Sequence, residues 1–266
     1  MLSVELTSGE LKLTKDTYGR FIVEDEPRAG AWNMAADEVL LESALHENVC
    51  TLRWYRWREA TVSLGYFQPP LAVPNGNGPH TIESLPQVRR LSGGGAILHH
   101  HEWTYSLAIP PTHVFSAHPE KLYGRVHAHL IDWMNRQGLA ARLRNEAFDK
   151  KWEPFLCFGR GDPNDIVVDN HKVVGSAQRR RRGAILQHGS VLMTRSEYAP
   201  QFPGLLDLGL RETPCEASIN ELAGSMSVEL LGQADVGSFT EAEFLRIHEL
   251  IATRYGSLEW TFPHSR

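Results

Sequence analysis

The sequence predicts an α+β fold in which helices flank a central mixed β-sheet. Segments with the alternation and β-branched content of strands are mixed with segments of helical periodicity, without a regular β-α-β repeat. The chain has 266 residues, of which 42% are hydrophobic. This length suits one large domain, or one domain with small additions, around a sizeable core.

The helices are predicted from periodic apolar residues and from their ends. The first covers 31–46, and the second covers 117–137 and ends at Gly138. A third helix is predicted to begin at a capping box formed by Thr240 and Glu243. The apolar residues at helical spacing in the first helix are Trp32, Ala36, Val39 and Leu40.

The strands are predicted from aromatic and β-branched residues between turn signals. Asp169 and Asn170 are expected at the turn of a hairpin, and Pro and Gly residues make 71–80 a loop. Short polar β segments are expected over 1–23. The predicted strand segments are 50–57, 61–66, 87–91, 95–98 and 103–109, with several more over 164–193.

Composition limits the functional class. The net charge of −5 gives no global case for nucleic acid binding, and no run reaches the roughly 18 apolar residues of a membrane span. The N-terminus lacks the features of a secretory signal, and an odd set of three cysteines favours a reducing compartment. We therefore expect a cytoplasmic protein.

The first candidate site is the glycine-rich segment over 89–99, RRLSGGGAILH. Three successive glycines between apolar strands let the backbone approach a ligand, and their N–H groups can hold a carboxylate, carbonyl or phosphate oxygen. For Gly93–Gly95 alone, a plain glycine turn is the commoner explanation. The neighbouring arginine pair with Arg90, and His99, shift the balance towards ligand binding but do not decide the matter.

Two further candidates are Lys172 and Cys157. Lys172 lies in an otherwise apolar predicted strand, so it is either a solvent-facing lysine or a cation directed at a ligand carbonyl or a thiolate. Cys157 lies between aromatic residues, which suits an inert buried thiol, but the adjacent glycines and Arg160 suit a reactive one. Cys50 and Cys215 have no such surroundings and are taken as structural.

Other motifs are absent or ambiguous. Adjacent residues of a strand point to opposite faces, so His99, His100 and His101 are not expected to bind one metal ion. Walker-type, Gly-x-Ser-x-Gly and His-Glu-x-x-His motifs are absent from the sequence. The run Arg179–Arg182 is either a solvated loop or a docking site for an acidic partner.

Several segments in order resemble the biotin/lipoyl protein ligase superfamily, which includes lipoate–protein ligase A and cysteine-dependent octanoyltransferases. The glycine-rich segment is similar to that of the ligases, and 164–177 is similar to their Asn-Asp…Lys-x-x-Gly-Ser-Ala strand pair. The helix opening at 32–38 and the Tyr…Trp element at 255–260 also match. The resemblance covers roughly 28–262.

The resemblance divides between two subfamilies. Cys157 and the segments 99–106 and 185–190 resemble the octanoyltransferases, and an accessory ligase domain is not apparent. Ser92–Gly95 and Asn164-Asp165 are closer to the ATP-using ligases. The resemblance implies a biotin/lipoyl synthetase-like catalytic domain over 28–266 with a helical C-terminal tail, preceded by an N-terminal β extension over 1–27.

The function implied is transfer of an octanoyl or lipoyl group to a lysine of a lipoyl-domain protein. The acceptor would be the glycine cleavage H protein or a 2-oxoacid dehydrogenase E2, and the donor octanoyl-acyl carrier protein. Cys157 would carry the acyl group as a thioester beside Lys172. The substrate-binding residues implied are Arg90, Ser92, Gly93, Gly94, Gly95, Ala96, His99, Asp165, Gly175, Ser176, Ala177 and His188.

This interpretation expects no cofactor, no metal, no nucleic acid and no membrane. Two alternatives remain open. An ATP-dependent lipoate–protein ligase would need ATP and Mg²⁺, and a non-catalytic acyl-binding protein would keep the pocket with an unreactive cysteine.

Overall fold

The computed structural model describes residues 18–71, 81–146 and 154–263. Within these ranges one sheet contains eight strands in the order β11-β1-β2-β6-β10-β9-β8-β7. Its strands, in chain order, are β1 (Tyr18–Val23), β2 (Val49–Tyr55), β6 (Glu102–Ile109), β7 (Arg142–Leu143), β8 (Ile166–Val168), β9 (His171–Arg181), β10 (Ala184–Leu192) and β11 (Asp235–Val236).

The sheet is mixed, as the sequence predicts. β1 pairs in parallel with β2 and β11, whereas the pairs from β2 to β7 are antiparallel. A smaller sheet has the order β4-β3-β5, formed by β3 (Thr61–Leu64), β4 (Gln87–Arg89) and β5 (Ile97–His99). Helices cover both faces of the large sheet: α1 (Gly30–Glu47), α2 (Pro119–Arg136), α3 (Glu216–Leu231), α4 (Glu241–Leu250) and α5 (Leu258–Thr261).

One face of the large sheet packs against α2 and α3. Alternate residues of β6, such as Tyr105 and Leu107, point to this face and are fully buried with Val126 and Leu130 of α2. Gly138 follows α2 in the left-handed region at φ 86°, as the predicted helix end requires.

The other face packs against α1, which differs from a simple amphipathic helix. Its apolar residues are buried, but so are Asn33, Asp37 and Glu38, because the sheet lies on one side of α1 and α4 on the other. Each of these polar side chains has hydrogen-bond or ionic partners in other elements. α1 therefore brings charged groups into the interior.

The small sheet holds the glycine-rich segment over α1 and the large sheet. β3 ends at Leu64, two residues earlier than the sequence predicts. The reason is the close approach of Gly65 to the glycine loop, where a Cβ on Gly65 would lie 2.0 Å from the carbonyl oxygen of Gly94. The chain must leave the strand at this point.

Other expectations are confirmed at their predicted places. Asp169 and Asn170 form the β8–β9 turn with φ of 47° and 66°, and Thr240 and Glu243 form the capping box of α4. The segment expected to be an N-terminal extension includes β1, which pairs with β2 in the large sheet. Residues 1–17 and most of the predicted loop, 72–80, lie outside the described residues.

Among the described residues, none of the helices combines the length and the apolar character that crossing a bilayer requires.

Candidate active site

A cavity of about 460 Å³, here called the cysteine cavity, lies between α1, the glycine loop, β9 and β10. Much of its wall is apolar, from Met34, Tyr55, Trp57 and Ile97. The predicted site residues that line it are Arg90, Gly93, Gly94, His99, Cys157, Gly175, Ser176, Ala177 and His188.

Cys157 begins a short 3₁₀ turn that ends at Gly159. The Cys157 side chain is partly exposed and lines the cavity. The backbone N–H of Cys157 donates to the carbonyl oxygen of Ala96 at 2.7 Å, and the N–H of Ala96 donates to Phe155 at 3.1 Å. These bonds attach the cysteine segment to the glycine loop. Ala96, predicted to bind substrate, therefore holds Cys157 in place.

Lys172 is buried beside Cys157. Its Nζ lies 3.7 Å from Sγ of Cys157 and donates to the Cys157 carbonyl oxygen at 3.2 Å. Nζ also pairs with Oδ1 of Asp165 at 2.9 Å. Of the two interpretations of Lys172, the structure favours the cation directed at a thiolate, because an ammonium group at this distance stabilises negative charge on sulfur.

Asp165 supports Lys172 rather than facing the cavity. Its second oxygen, Oδ2, accepts from the backbone N–H of Asp162 at 2.8 Å, so both carboxylate oxygens have partners. Burial raises the pKa of the Asp165 carboxyl, and the nearby ammonium of Lys172 opposes that rise. The pair fixes the position of the ammonium group.

The glycine loop is shaped by Arg90, whose five N–H donors all have partners in the protein. Nε donates to Ser92 Oγ, Nη1 donates to the backbone and hydroxyl oxygens of Ser63, and Nη2 donates to the carbonyl oxygens of Gly93 and Gly95. Burial lowers the pKa of Arg90 to about 10. Arg90 thus organises the loop from within, although part of it borders the cavity.

A hydrogen-bonded chain of Ser92, His188 and Asp37 runs behind this loop. Oγ of Ser92 lies 2.5 Å from His188 Nε2, and His188 Nδ1 lies 3.0 Å from Asp37 Oδ2. Burial acts to raise the pKa of Asp37, but the His188 hydrogen bond and the Arg53 charge outweigh it, so the pKa is lowered. An ionised Asp37 holds the Nδ1–H tautomer of His188.

His99 is fixed on three sides. Nδ1 lies 2.5 Å from Glu102 Oε1, Nε2 lies 2.7 Å from Ser63 Oγ, and the ring stacks on Trp57 at 3.7 Å between centroids. Burial lowers the pKa of His99, although Glu102 opposes this effect. His99 therefore presents a positioned, buried imidazole at the cavity wall.

Gly175 and Ser176 have different roles in β9. A Cβ on Gly175 would lie 2.6 Å from Cε of Lys172, so the glycine leaves room for the lysine side chain. The hydroxyl of Ser176 points to the opposite face, where it lies 2.7 Å from both Tyr105 Oη and His127 Nε2. Its side chain therefore ties the sheet to α2, and Ser176 borders the cavity from the strand.

Comparison with known proteins decides the family. Residues 29–230 match the family described as the lipoyl protein ligase A/B catalytic domain. The chain belongs to this family.

Relatives within the lipoyl protein ligase A/B family include enzymes named octanoyltransferase LipM. The Brevibacillus brevis enzyme is 28% identical over 270 residues, covering 91% of this chain and 97% of that protein. The Bacillus subtilis enzyme is 34% identical over 193 residues, covering 70% and 68%. The predicted superfamily and the prediction of an acyltransferase are confirmed.

Solved structures of lipoate–protein ligases share the fold. Lipoate-protein ligase A bound with ATP has a TM-score of 0.68 at 20% identity, covering 92% of this chain and 99% of that one. A bi-partite lipoate protein ligase from Thermoplasma acidophilum has a TM-score of 0.67 at 20% identity, covering 94% and 98%. These neighbours confirm the predicted α+β architecture with its large mixed sheet.

The other two cysteines lie away from the cysteine cavity. Cys50 is fully buried in the core, where desolvation raises the pKa of its thiol to about 12. Cys215 is exposed at the start of α3, where a hydrogen bond with Ser218 lowers the pKa of its thiol. A structural role in packing therefore suits Cys50 and not Cys215.

The histidine run does not alternate along one strand. His99 ends β5, whereas His100 and His101 lie in the turn that follows, with ring centroids 3.5 Å apart. Among the residues that the structure describes, His100, His101 and Glu197 form a group whose potential metal-ligating atoms lie within 4.8 Å of one another. The absence of a metal stays a prediction, but strand alternation was the wrong reason for it.

The run Arg179–Arg182 does not form a loop. Its first three residues end strand β9, and Arg182 lies in the turn that follows. Arg179 and Arg181 point to the face that bears α1, and the alternation of the strand sends Arg180 to the other face. Arg182 has a φ of 50° in the turn. The four arginines therefore do not form one surface.

Proposed function

We propose that this protein, in the cytoplasm, transfers an octanoyl group from a carrier-protein thioester to a lysine of a lipoyl-domain protein, without ATP. The observation that carries the proposal is the position of Cys157, whose sulfur lies beside the ammonium of Lys172 at a largely apolar cavity. The names of the LipM relatives support the octanoyl group.

The first step is exchange of one thioester for another. The thiolate of Cys157 attacks the carbonyl carbon of the donor, the carbon–sulfur bond of the donor breaks, and the donor leaves as a thiolate. Lys172 stabilises the negative charge on Cys157 before the attack and on the carbonyl oxygen during it. No oxidant, reductant or nucleotide is needed for this balance.

The second step forms the amide. The acceptor lysine, as a neutral amine, attacks the thioester on Cys157, and the carbon–sulfur bond breaks to restore the thiolate. The acceptor ammonium releases two protons in all, one before the attack and one as the amide forms. Lys172 stays in position to stabilise the thiolate that returns.

The cavity wall suits a medium-length acyl chain. Seven carbons beyond the carbonyl, at about 0.8 kcal/mol for each buried carbon, provide about 5–6 kcal/mol of binding free energy. Met34, Trp57 and Ile97 supply apolar surface for these carbons. The chain is thus recognised by burial, and the thioester by Cys157 and Lys172.

The test compares two acyl donors: octanoyl-carrier protein, and free octanoate or lipoate with ATP and Mg²⁺. We expect octanoyl-carrier protein to add one octanoyl mass to the enzyme and then to a lipoyl domain, in the absence of ATP and Mg²⁺. Cys157→Ala should abolish the acyl-enzyme, whereas Cys50→Ala and Cys215→Ala should retain it. Intact-mass measurement follows both proteins.

The opposite result would identify an ATP-dependent ligase. Lipoyl-domain product from free octanoate or lipoate with ATP and Mg²⁺, undiminished in Cys157→Ala, would contradict the proposal. An octanoyl mass that persists on the Cys157→Ala enzyme would contradict the assignment of the nucleophile. A bound but untransferred acyl group in the wild type would indicate a non-catalytic binding protein.

A further inference from the structure

A second cavity of about 610 Å³, on the same face of β9 as the cysteine cavity, is lined by arginines; it is here called the arginine crevice. Its walls include the guanidinium groups of Arg179, Arg181 and Arg254 and the aromatic rings of Tyr66 and Trp260. The mechanism above uses none of these residues. The crevice is open to solvent, since Arg181 and Arg254 have side chains that are 43% and 35% exposed.

The crevice continues the cysteine cavity along two elements. In β9, Gly175 and Ala177 line the cysteine cavity, and Arg179, two residues further on the same face, lines the crevice. In α1, Met34 lines the cysteine cavity, and Glu38, one turn later, lines the crevice. A ligand that extends from Cys157 along this face of β9 would run towards the crevice.

The charge of the crevice is positive. Among the described residues that line it, three arginines face one carboxylate, that of Glu38. Glu38 pairs with Arg254 at 2.5 Å and lies 3.6 Å from Arg181. The guanidinium of Arg179 lies over the ring of Tyr66 at 5.3 Å. The lining residues alone carry two positive charges in excess, and Glu42, outside the lining, lies 3.8 Å from Arg181. The excess among the lining residues suits an anionic group.

The length of a pantetheine thioester matches the distance along β9 from the cysteine cavity to the arginine crevice. At about 3.3 Å per residue, Arg179 lies roughly 13 Å and Arg181 roughly 20 Å along β9 from Gly175, which contacts Lys172. The chain from sulfur to phosphorus in 4′-phosphopantetheine spans about 15 Å when extended, at roughly 1.2 Å per bond. A donor whose thioester lies at Cys157 is therefore long enough to bring its phosphate to these arginines.

We propose that the arginine crevice binds the phosphate of a pantetheine-type thioester donor, and this rests on the proposed function above. Arginine suits such a role because its planar group forms paired hydrogen bonds with phosphate oxygens. The shared chemistry is a phosphate ester of pantetheine. A carrier protein and coenzyme A both present it.

The experiment compares two small donors that differ only in this phosphate. S-octanoyl-4′-phosphopantetheine should acylate Cys157 with a kcat/KM at least about tenfold above that of S-octanoyl-pantetheine. The ratio should fall towards one in the double variant Arg179→Ser/Arg181→Ser. Time-resolved intact mass measures the acylation, and the preference of the wild type should shrink as ionic strength rises.

Arg180→Ser is the control, because it removes one arginine from the same strand on the opposite face; the single variants Arg179→Ser and Arg181→Ser, which remove the same charge, are compared with it. Arg180→Ser should keep the wild-type ratio. Equal acylation by the two small donors in the wild type would overturn the proposal while leaving the proposed function intact. Absence of acylation by every donor would refute both.

Two further donors, octanoyl-coenzyme A and octanoyl-carrier protein, show whether the arginines recognise the phosphate or the carrier protein. If octanoyl-coenzyme A and octanoyl-carrier protein both lose efficiency in the double variant, the site recognises the shared phosphate, as proposed. If only the carrier protein is affected while the small donors keep their ratio, the arginines contact protein instead, and the proposal is wrong.

Discussion

The ammonium group of Lys172 is buried, with 4% of its side chain exposed, and it is placed by one carboxylate and one carbonyl oxygen. Because Asp165 lies outside the cavity lining and pairs with Nζ, the charge of the lysine is balanced without blocking Cys157. A cation held in this way stabilises a thiolate without reorganising when the reaction begins.

Removal of this cation should slow acylation without unfolding the protein. We expect Lys172→Ala to lower the rate constant for acylation of Cys157 by about 10²–10³-fold, by analogy with the loss of one preorganised donor. Rapid quenching followed by intact-mass measurement gives this constant. Lys121→Ala, on the exposed face of α2, is the control. Wild-type acylation in Lys172→Ala at saturating donor would refute the role.

Asp37 is the residue that sequence reasoning missed. It was part of a motif matched only as the start of a helix, and its partner His188 lies 151 residues further along the chain. Nothing in the local pattern distinguishes it from an exposed acid on a helix. A buried arginine such as Arg53 needs carboxylate partners, but the sequence does not show which arginine is buried.

Asp37 also contributes to stability. Asp37→Asn should destabilise the fold by about 3 kcal/mol, since Arg53 is fully buried and loses one of its two carboxylates. The exposed pair of Asp132 and Arg136 gives the control, because Asp132→Asn should cost less than about 1 kcal/mol. Urea unfolding measures both. Equal losses in the two variants would contradict the buried network.

At the scale of elements, β9 is the strand that assembles the site. It carries Lys172 beside the cysteine, then Gly175 and Ala177 along the cysteine cavity, then Arg179 and Arg181 in the arginine crevice. The alternation of side chains gives Gly175, Ala177, Arg179 and Arg181 one face. Lys172, three residues before Gly175, reaches the same side because the pairing of β8 with β9 is irregular between Lys172 and Val174. Function is therefore sensitive to small changes of backbone or volume in this strand.

Gly175→Ala tests this sensitivity. The new Cβ would meet Cε of Lys172 at 2.6 Å, and because that atom is near the end of a flexible chain, the ammonium should move while the strand remains. We expect acylation to fall at least about tenfold, with a small change in unfolding free energy. An acylation rate equal to that of the wild type would show that the new Cβ does not displace the ammonium group of Lys172.

Gly124→Ala in α2 is the matched control. No atom lies within 4 Å of the Cβ position there, and alanine is the better helix former by roughly 0.5–1 kcal/mol. This variant should be slightly more stable and fully active. Together the two substitutions separate the volume effect at Gly175 from the general effect of replacing glycine.

The elements themselves were largely predictable, because strand alternation, helical periodicity and the capping box are local signals. The turn at Asp169 and Asn170 and the start of α4 lie where the sequence predicts them. Strand β3 is shorter than predicted because Gly94, distant in sequence, occupies the space beside Gly65. Tertiary packing sets such boundaries, and local patterns do not contain it.

For the whole molecule, the predicted catalytic residues Cys157 and Lys172 lie side by side, but the sequence does not show how the predicted site residues divide the work. Ala96 and Asp165 are predicted to bind substrate, and the structure shows in addition that they contact Cys157 and Lys172. The arginine run was treated as one feature, although β9 sends Arg180 to the opposite face. Orientation within a sheet depends on register with neighbours, which a single sequence specifies only weakly.

His127 connects α2 to the large sheet and makes stability depend on pH. Its Nδ1 lies 2.6 Å from the carbonyl oxygen of Asn164, and its Nε2 lies 2.7 Å from Ser176 Oγ. The neutral ring satisfies both contacts by donating at Nδ1 and accepting at Nε2. Burial lowers the pKa of His127 to about 4, although the Asn164 hydrogen bond opposes this effect.

The lowered pKa predicts a loss of stability in mild acid. An unfolded histidine takes up its proton near pH 6.5, whereas native His127 stays neutral until about pH 4. The unfolded state therefore binds more protons in this window, and His127 makes the unfolding free energy fall by about 3 kcal/mol as pH drops through it. Above about pH 6.5 the contribution is complete.

In His127→Gln this part of the pH dependence should disappear, so the stability difference between wild type and variant should shrink steadily below pH 6.5. Urea unfolding at several pH values measures that difference. A difference for His127→Gln that stays constant from pH 7 to pH 4 would mean that the buried ring does not titrate with unfolding.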